Sequence, residues 1–382
     1  MKILAVETSC DDTGIAILEA SQKGDFKVLS NIVSSQIEVH KKYGGVYPAL
    51  AKREHQKNLV PTLIEALKKS GFLRVNEQKS KNKNLKIKTI LEREPELYKK
   101  IIPFLQKYEK PDVDLIAVTN GPGLEPCLWV GVNFAKVLSY FWDIPIVPVN
   151  HIESHILVNY LKNKKINFPA ISLVVSGGHT QLILIKKMGS YKILGETRDD
   201  AAGECFDKAA KILGLSYPGG QIISEFASKK LGRMTSQFLP RPMISTKDYD
   251  FSFSGLKTAV LYHHRKQPAK IQKSKKYIQE MCAEIQQAII DVLLKKTIKS
   301  AKDYKVKTII LGGGVSANKE LRKQFQNKIN KEIKNTLFFV PKPDLSTDNG
   351  LMTAITGYFH RNQKIGRSDL PKLKADGNLR IK

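Results

Sequence analysis

The sequence has no Cys-x-x-Cys pair: its four cysteines, Cys10, Cys127, Cys205 and Cys282, lie far apart along 382 residues. That spacing argues against a disulfide framework and a zinc ribbon, and it fits a reducing compartment. No uninterrupted apolar run approaches the ~18 residues that would suggest a membrane span. The strand pattern starting at residue 3 leaves no room for a signal or transit peptide. No membrane association is expected, and the cytoplasm is the expected compartment. Acidic residues are scarce, with 36 Asp and Glu against 63 Lys and Arg, a formal net charge of +27. Such a surplus favours a polyanionic partner, nucleic acid first, although attraction to phosphate does not say which nucleic acid. A hydrophobic content of 42% and a mean hydropathy of −0.27 exclude a mostly disordered chain. The length allows two domains with ample core.

What is present centres on NHIESH, residues 150–155, directly after the strand-like IPIVPV. A helix beginning near Asn150 sets His151 and His155 one turn apart on one face, where two neutral imidazoles can grip one metal ion. Further ligands must come from elsewhere. The plain alternative for a bare His-x3-His pair is one packed or capping histidine and one solvated.

Taken in order, residues 2–20 read as strand, polar turn, strand, with Glu7, Thr8, Ser9, Asp11, Asp12, Thr13 and Gly14 at the tip. These residues can hold phosphate or move a proton, and they are also ordinary turn formers. A third strand, VLSNIVSSQ, precedes a long amphipathic helix carrying Leu59, Leu63, Ile64 and Leu67, with Pro61 inside and Gly71 as its stop. Residues 75–111 are lysine-rich and read as an insertion. Its first half is expected to be a solvated loop, and its second, roughly 94–108, a helix with Leu97, Ile101 and Leu105 in one stripe. PDVDLIAVTNGPGL, a helix over 128–141 and IPIVPV then give the strand–turn–helix–strand alternation of an α/β sheet.

After a Lys/Asn linker at 162–167, FPAISLVVSGGHTQLILIKK repeats the strand–polar turn–strand pattern of the N-terminus. The glycines of its SGGHT tip allow backbone amides to approach a phosphate. Two similar domains, 1–165 and 166–382, each presenting such a hairpin to one nucleotide across a cleft between them, make up the α/β architecture of the actin, hexokinase and Hsp70 (ASKHA) superfamily. The final helix is allowed to pack back on the first domain. The second half is expected to contain a helix over 200–213 carrying Asp207 and Lys208, a turn at DFSFSGLKTAV, a basic loop at 263–276 and a long helix over 277–302. A strand, three glycines and a helix starting near Ser316 follow, then Asp348 in a turn before a last helix, and a loosely held tail beyond 362.

ETSCDDTGIA, YGGVYPALAKREH, NGPGL, NHIESH, VSGGHTQL, GETRDDAAGECFDKAAKILGLSYPGG, DFSFSGLKT, GGGVSANKELR and STDNGLM, in this order, resemble the TsaD (Kae/Gcp) family of tRNA adenosine threonylcarbamoyltransferases. The resemblance covers nearly the whole chain outside 75–111 and the tail. It implies transfer of a threonylcarbamoyl group from threonylcarbamoyl-AMP to the N6 amine of adenosine 37 in tRNAs reading codons that begin with A. It also implies one mononuclear metal ion, Fe(2+) ahead of Zn(2+), on His151, His155 and Asp348. An adenylate pocket is implied at Val174, Val175, Ser176, Gly177 and Gly178, with Asp207, Gly220 and Asn318 around ribose and base. Asp11 and Asp12 correspond to the acidic tip implicated in the chemistry. Partners implied are tRNA, threonylcarbamoyl-AMP or ATP, and TsaB-like and TsaE-like proteins. If 166–382 is the second domain, Asp348 bridges to the two histidines from the opposite domain.

Three other classes compete. A metallopeptidase needs H-E-x-x-H, whereas this chain has H-x-E-x-H, with Glu153 turned away from the required position. An ASKHA-type ATPase or an RNA-binding subunit of the same complex would use the fold or the charge without the transfer.

Overall fold

The computed structural model of the protein describes residues 1–77, 84–162, 166–230 and 237–382. Part of the loop expected in the insertion (78–83) and part of the 162–167 linker lie outside these residues. The chain forms two compact units. Unit 1 comprises Met1–Glu38, Val46–Lys164 and Asp348–Ile381, and unit 2 comprises Val39–Gly45, Lys165–Thr347 and Lys382.

In unit 1, β1 (Lys2–Glu7) and β2 (Asp12–Ala20) form an antiparallel hairpin, in register from Lys2↔Glu19 to Glu7↔Gly14. β3 (Phe26–Ser35) extends it, and β4 (Leu115–Gly121) and β5 (Ile146–Asn150) add in parallel on the far side, giving the order β3-β2-β1-β4-β5. The unbroken apolar runs of β1 and β4 suit strands covered on both faces. Leu4, Val6, Ile116 and Val118 pack under the helices Pro48–Ser70 and Glu125–Trp142. On the opposite face the helix Gly350–Phe359 crosses the sheet, with Gly357 lying directly on Ala117 and Ile3.

That crossing groups residues 348–360 with unit 1, because the apolar face of the last helix is covered by β1, β2, β4 and β5. The tail is not loose: Leu370, Leu373 and Ala375 join the unit 1 core, Ile365 pairs with Ile146, and Asp376 N donates to Asn120 O at 2.8 Å. The insertion differs likewise in its first half. The helix Pro95–Lys107 buries Leu97, Ile101 and Leu105 along one stripe, but a further helix, Asn84–Ile90, buries Ile87 in the same core. Both docked helices keep their lysines outward, as amphipathic surface helices do.

Unit 2 repeats the plan. β6 (Ala170–Val175), β7 (Thr180–Lys187) and β8 (Ser190–Glu196) form the antiparallel part, and β9 (Thr308–Gly312) and β10 (Leu337–Phe339) the parallel part, in the order β10-β9-β6-β7-β8. Replacing β1–β5 by β6–β10 turns one sheet order into the other, so the duplication expected from the two hairpins is present. The core is built on the helix Lys275–Asp303, with Ala202–Ile212, Gly219–Ser228, Ser254–Arg265 and Lys319–Glu332 around it. The basic stretch 263–276 is not a loop: it is the end of one helix, the short helix Ala269–Gln272 and the start of the next. The helix expected at Ser316 begins at Lys319, after a 3-10 turn over Gly314–Ala317, because Asn318 caps it by accepting from Leu321 N at 2.9 Å.

Candidate metal centre and phosphate loop

The helix His151–Leu157 starts where the sequence suggested. Asn150 Oδ1 accepts from the amides of Ile152 and Glu153 at 2.9 and 3.1 Å, which fixes the first turn and sets His151 and His155 edge to face with ring centroids 4.6 Å apart. Asp348 reaches them from the residue pair before the last helix. The close approach is possible because Gly14 and Gly350 have no side chains: a Cβ on Gly14 would sit 2.6 Å from Gly350 N, and one on Gly350 2.5 Å from Ala16 N. Among the described residues, His151, His155 and Asp348 form the one group of His, Cys, Asp and Glu side chains placed to share an ion, with ligand atoms all within 4.8 Å of one another. All three lie in unit 1, so the expected bridge from the opposite domain is replaced by a site inside one unit.

The donor chemistry fits a divalent ion. His155 is 1% exposed, and neither ring nitrogen makes a hydrogen bond, although Nε2 lies 3.2 Å from Asp348 Oδ1. A buried imidazole without a hydrogen bond is costly unless something else takes its lone pair. Burial also holds His155 below its usual value, in the neutral form a metal requires. His151 Nε2 is 3.7 Å from the same carboxylate oxygen, and its Nδ1 faces Ser9 Oγ at 3.1 Å and Glu7 Oε2 at 3.6 Å. Burial opposes charge on His151, but the two carboxylates outweigh it and raise the ring to about 9.

Glu7 was legible only as one polar residue of a turn tip. It is the last residue of β1 and fully buried, with its carboxylate accepting from Ser9 N at 2.7 Å, Thr119 Oγ1 at 2.5 Å and Thr353 Oγ1 at 3.1 Å. Burial pushes it up, while His151 and these donors more than compensate and hold it below the carboxylate norm. A carboxylate behind a ligand histidine orients the ring and raises its basicity. Glu153, turned away from the position a peptidase motif requires, pairs its Oε2 with His360 Nε2 at 2.7 Å and so ties the histidine helix to the residue after the last helix. A buried glutamate beside a histidine 207 positions away has no signal in one sequence.

Asp11 and Asp12 sit at the β1–β2 tip, near this group. Burial, then the like charges of Asp11 and Asp348, push Asp12 up to about 7, and its Oδ1 is buried without a hydrogen bond.

The other expected residues lie in unit 2. Ser176–His179 close the β6–β7 hairpin, with His179 N donating to Ser176 Oγ at 3.1 Å. Gly177 and Gly178 are exposed, and nothing in the protein lies within 4 Å of where their Cβ atoms would be. The protein itself therefore does not demand glycine at either position. Val174 and Val175 are buried in β6 and can offer only backbone. Gly203 N, in the first turn of Ala202–Ile212, donates to Ser176 O at 3.1 Å. Asp207 on the same helix accepts from Gly219 N at 2.7 Å, which places Gly220 beside it at the start of the next helix. Asn318 donates through Nδ2 to Gln286 at 2.7 Å, and its turn packs against β6 and the Asp207 helix.

A family model described as TsaD: tRNA N6-adenosine threonylcarbamoyltransferase matches residues 27–74 and 96–355. The stretch it skips contains the helix Asn84–Ile90, so the insertion relative to the family is shorter than its lysine-rich composition suggested. A relative named tRNA N6-adenosine threonylcarbamoyltransferase from Thermosipho africanus is 42% identical over 381 residues, covering 100% of both chains. One of the same name from Persephonella marina is 43% identical over 361 residues, 94% of this chain and 90% of its own. Full-length HypF in its phosphate- and nucleotide-bound form is similar in structure with a TM-score of 0.52 at 13% identity, over 94% of this chain and 55% of HypF. Component A of (R)-2-hydroxyglutaryl-CoA dehydratase from Acidaminococcus fermentans gives 0.50 at 12% identity, over 97% and 99%. At such identities both likenesses concern the fold, which is the duplicated α/β fold of the ASKHA group.

Proposed function

The chain belongs to the TsaD family of tRNA N6-adenosine threonylcarbamoyltransferases and is a transferase, and from that premise we propose that it moves a threonylcarbamoyl group from threonylcarbamoyl-AMP to the N6 amine of adenosine 37 in tRNAs reading codons that begin with A. The observation that carries the proposal beyond the family name is the set of two buried histidines, His151 and His155, and the half-buried Asp348, with ligand atoms within 4.8 Å of one another. Two imidazoles and one carboxylate suit a divalent transition metal such as iron or zinc, with Fe(2+) placed ahead of Zn(2+) by the resemblance to the family. Bound there, the ion would act as Lewis acid and template for the carbamoyl group.

The chain's own residues do the rest. Glu7 and Ser9 hold the His151 ring from behind, so that its Nε2 faces Asp348. Asp12, at about 7, is poised near working pH to take the proton that the N6 amine loses as its bond to the carbamoyl carbon forms and AMP departs. In unit 2 the amides of Gly177 and Gly178 receive the adenylate phosphate. Asp207, Gly220 and Asn318 take ribose and base, with Val174, Val175 and Ser176 forming the wall through backbone. The working complex includes TsaB-like and TsaE-like proteins and ATP, in the cytoplasm.

The peptidase reading loses its candidate base, because Glu153 is engaged by His360 at 2.7 Å. Among the described residues no helix is long and apolar enough to cross a membrane. The test supplies tRNA, threonine, bicarbonate, ATP and the companion enzymes, then digests the tRNA for mass spectrometry. Threonylcarbamoyl-adenosine made by the wild type and lost in His151→Ala supports the reading. Full activity in that variant overturns the metal triad, and ATP hydrolysis without modified tRNA favours the ATPase alternative.

A further inference from the structure

Unit 2 carries a surface that the transfer chemistry does not use. From Phe251 to Gln279 the chain has no acidic residue, while Arg265, Lys266, Lys270, Lys273, Lys275 and Lys276 are all exposed. Several other surface lysines of the unit are ion-paired: Lys229 with Glu225, Lys302 and Lys328 with Glu332, Lys208 with Asp200 and Glu204. Among the described residues none of these six makes an ion pair. The short helix Ala269–Gln272, between the ends of two longer helices, gathers them into one compact turn.

Aromatic rings stand in the same place. Phe238 stacks on His263 at 4.7 Å between centroids, and His263 lies parallel to Tyr277 at 6.3 Å with 6° between planes. His264 stacks on Tyr277 at 5.7 Å and shares a hydrogen bond with its hydroxyl at 3.2 Å. Phe238 is 42% exposed and Tyr262 59% exposed. Uncompensated cations beside partly open ring faces are what an RNA backbone with unstacked bases requires, since phosphates find charge and bases find a platform. An acidic protein surface would use the charge and leave the exposed rings without a role.

We infer that the turn 262–277 with Phe238 is an RNA-docking surface of unit 2, in which the lysines hold tRNA phosphates and the Phe238–His263 stack receives an unpaired base. The identity of the RNA rests on the transferase reading, while the surface itself does not.

The experiment titrates the full-length protein with unmodified tRNA transcript and with a blunt RNA duplex, by fluorescence anisotropy over a salt series. Two variants are compared: the triple change Lys266→Glu, Lys270→Glu, Lys273→Glu, and Phe238→Ala. The charge reversal weakens both RNAs by at least about tenfold and flattens the slope of log affinity against log salt by about 2, roughly 0.7 per lost phosphate contact. Phe238→Ala weakens tRNA by about tenfold without changing the slope, and leaves the duplex unaffected. Melting curves matching wild type certify folding, because the changed lysines are exposed. Wild-type affinity and slope in the triple variant would overturn the inference, including the case where an acidic protein is the true occupant. A wild-type protein that binds tRNA through this surface yet never modifies it would sink the transferase reading alone.

Discussion

Loading the metal centre with an ion at pH 7 should release about one proton per chain. His151 carries that proton: burial works against it, but Asp348 and Glu7 hold the ring at about 9. At pH 7 only about 1 ring in 100 is neutral, which costs about 2.7 kcal/mol of metal affinity, at ~1.36 kcal/mol per pH unit. His155, lowered chiefly by burial, has no proton to lose. Apparent affinity should therefore climb close to tenfold per pH unit up to about pH 9 and then level. Calorimetric titration of metal-free protein with Zn(2+), in buffers of different ionisation enthalpy, counts the protons directly. The same group sets a stability trend. Its folded value lies above its unfolded 6.5, so its contribution is full below pH ~6.5 and fades as pH rises through about 9 in the metal-free protein. With metal bound, His151 is deprotonated throughout and this fading disappears. An affinity flat between about pH 6.5 and 8.5, with no proton released, would refute the reasoning.

Glu7→Gln keeps the shape and removes the charge behind His151. It should lower proton release at pH 7 and, measured near pH 9 where the proton cost has gone in both proteins, weaken metal binding by about tenfold or more. Asp12→Asn should slow transfer by roughly 10²–10⁴-fold and abolish the acid limb of the pH–rate profile. In the wild type that limb should lie somewhat below 7, since an ion on Asp348 offsets one of the like charges raising Asp12; a limb that persists in the variant would assign it elsewhere. Gly313→Ala sets a Cβ 2.4 Å from Val175 O at a residue with φ +84°. It should cost about 1–3 kcal/mol, read as a melting temperature several degrees lower, and an unchanged melting curve would show that the β6 end yields freely.

Periodicity made much of the scaffold readable. Leu97, Ile101 and Leu105 marked a helix face, and the two apolar hairpins marked a duplication that reappears as two sheets of one strand order. His151 and His155 were readable because one helical turn joins them and Asn150 caps it. Asp348 entered only through resemblance to a family, and its place in unit 1 depends on a helix crossing a sheet formed more than 190 residues earlier. Glu7 was hidden because a buried carboxylate at the end of an apolar strand looks like the first residue of a polar turn. Its partners Thr119 and Thr353 lie 112 and 346 positions away. The helix Asn84–Ile90 was missed because its inward stripe, Ile87, Ile90 and the adjoining Leu91, spans little more than one turn, while Leu85 beside it is exposed. The start of the last-but-one helix moved to Lys319 because the cap is Asn318, not the earlier serine.

The central claim is that His151, His155 and Asp348 jointly hold one ion inside unit 1. Elemental analysis combined with X-ray absorption at the metal edge, on wild-type protein and on His155→Ala and Asp348→Ala variants, tests it most directly. The account predicts one ion per chain with two imidazole nitrogens and carboxylate oxygen in the wild type, and loss of most bound metal in either variant. Wild-type metal content in both variants, or a shell without imidazole, would contradict it.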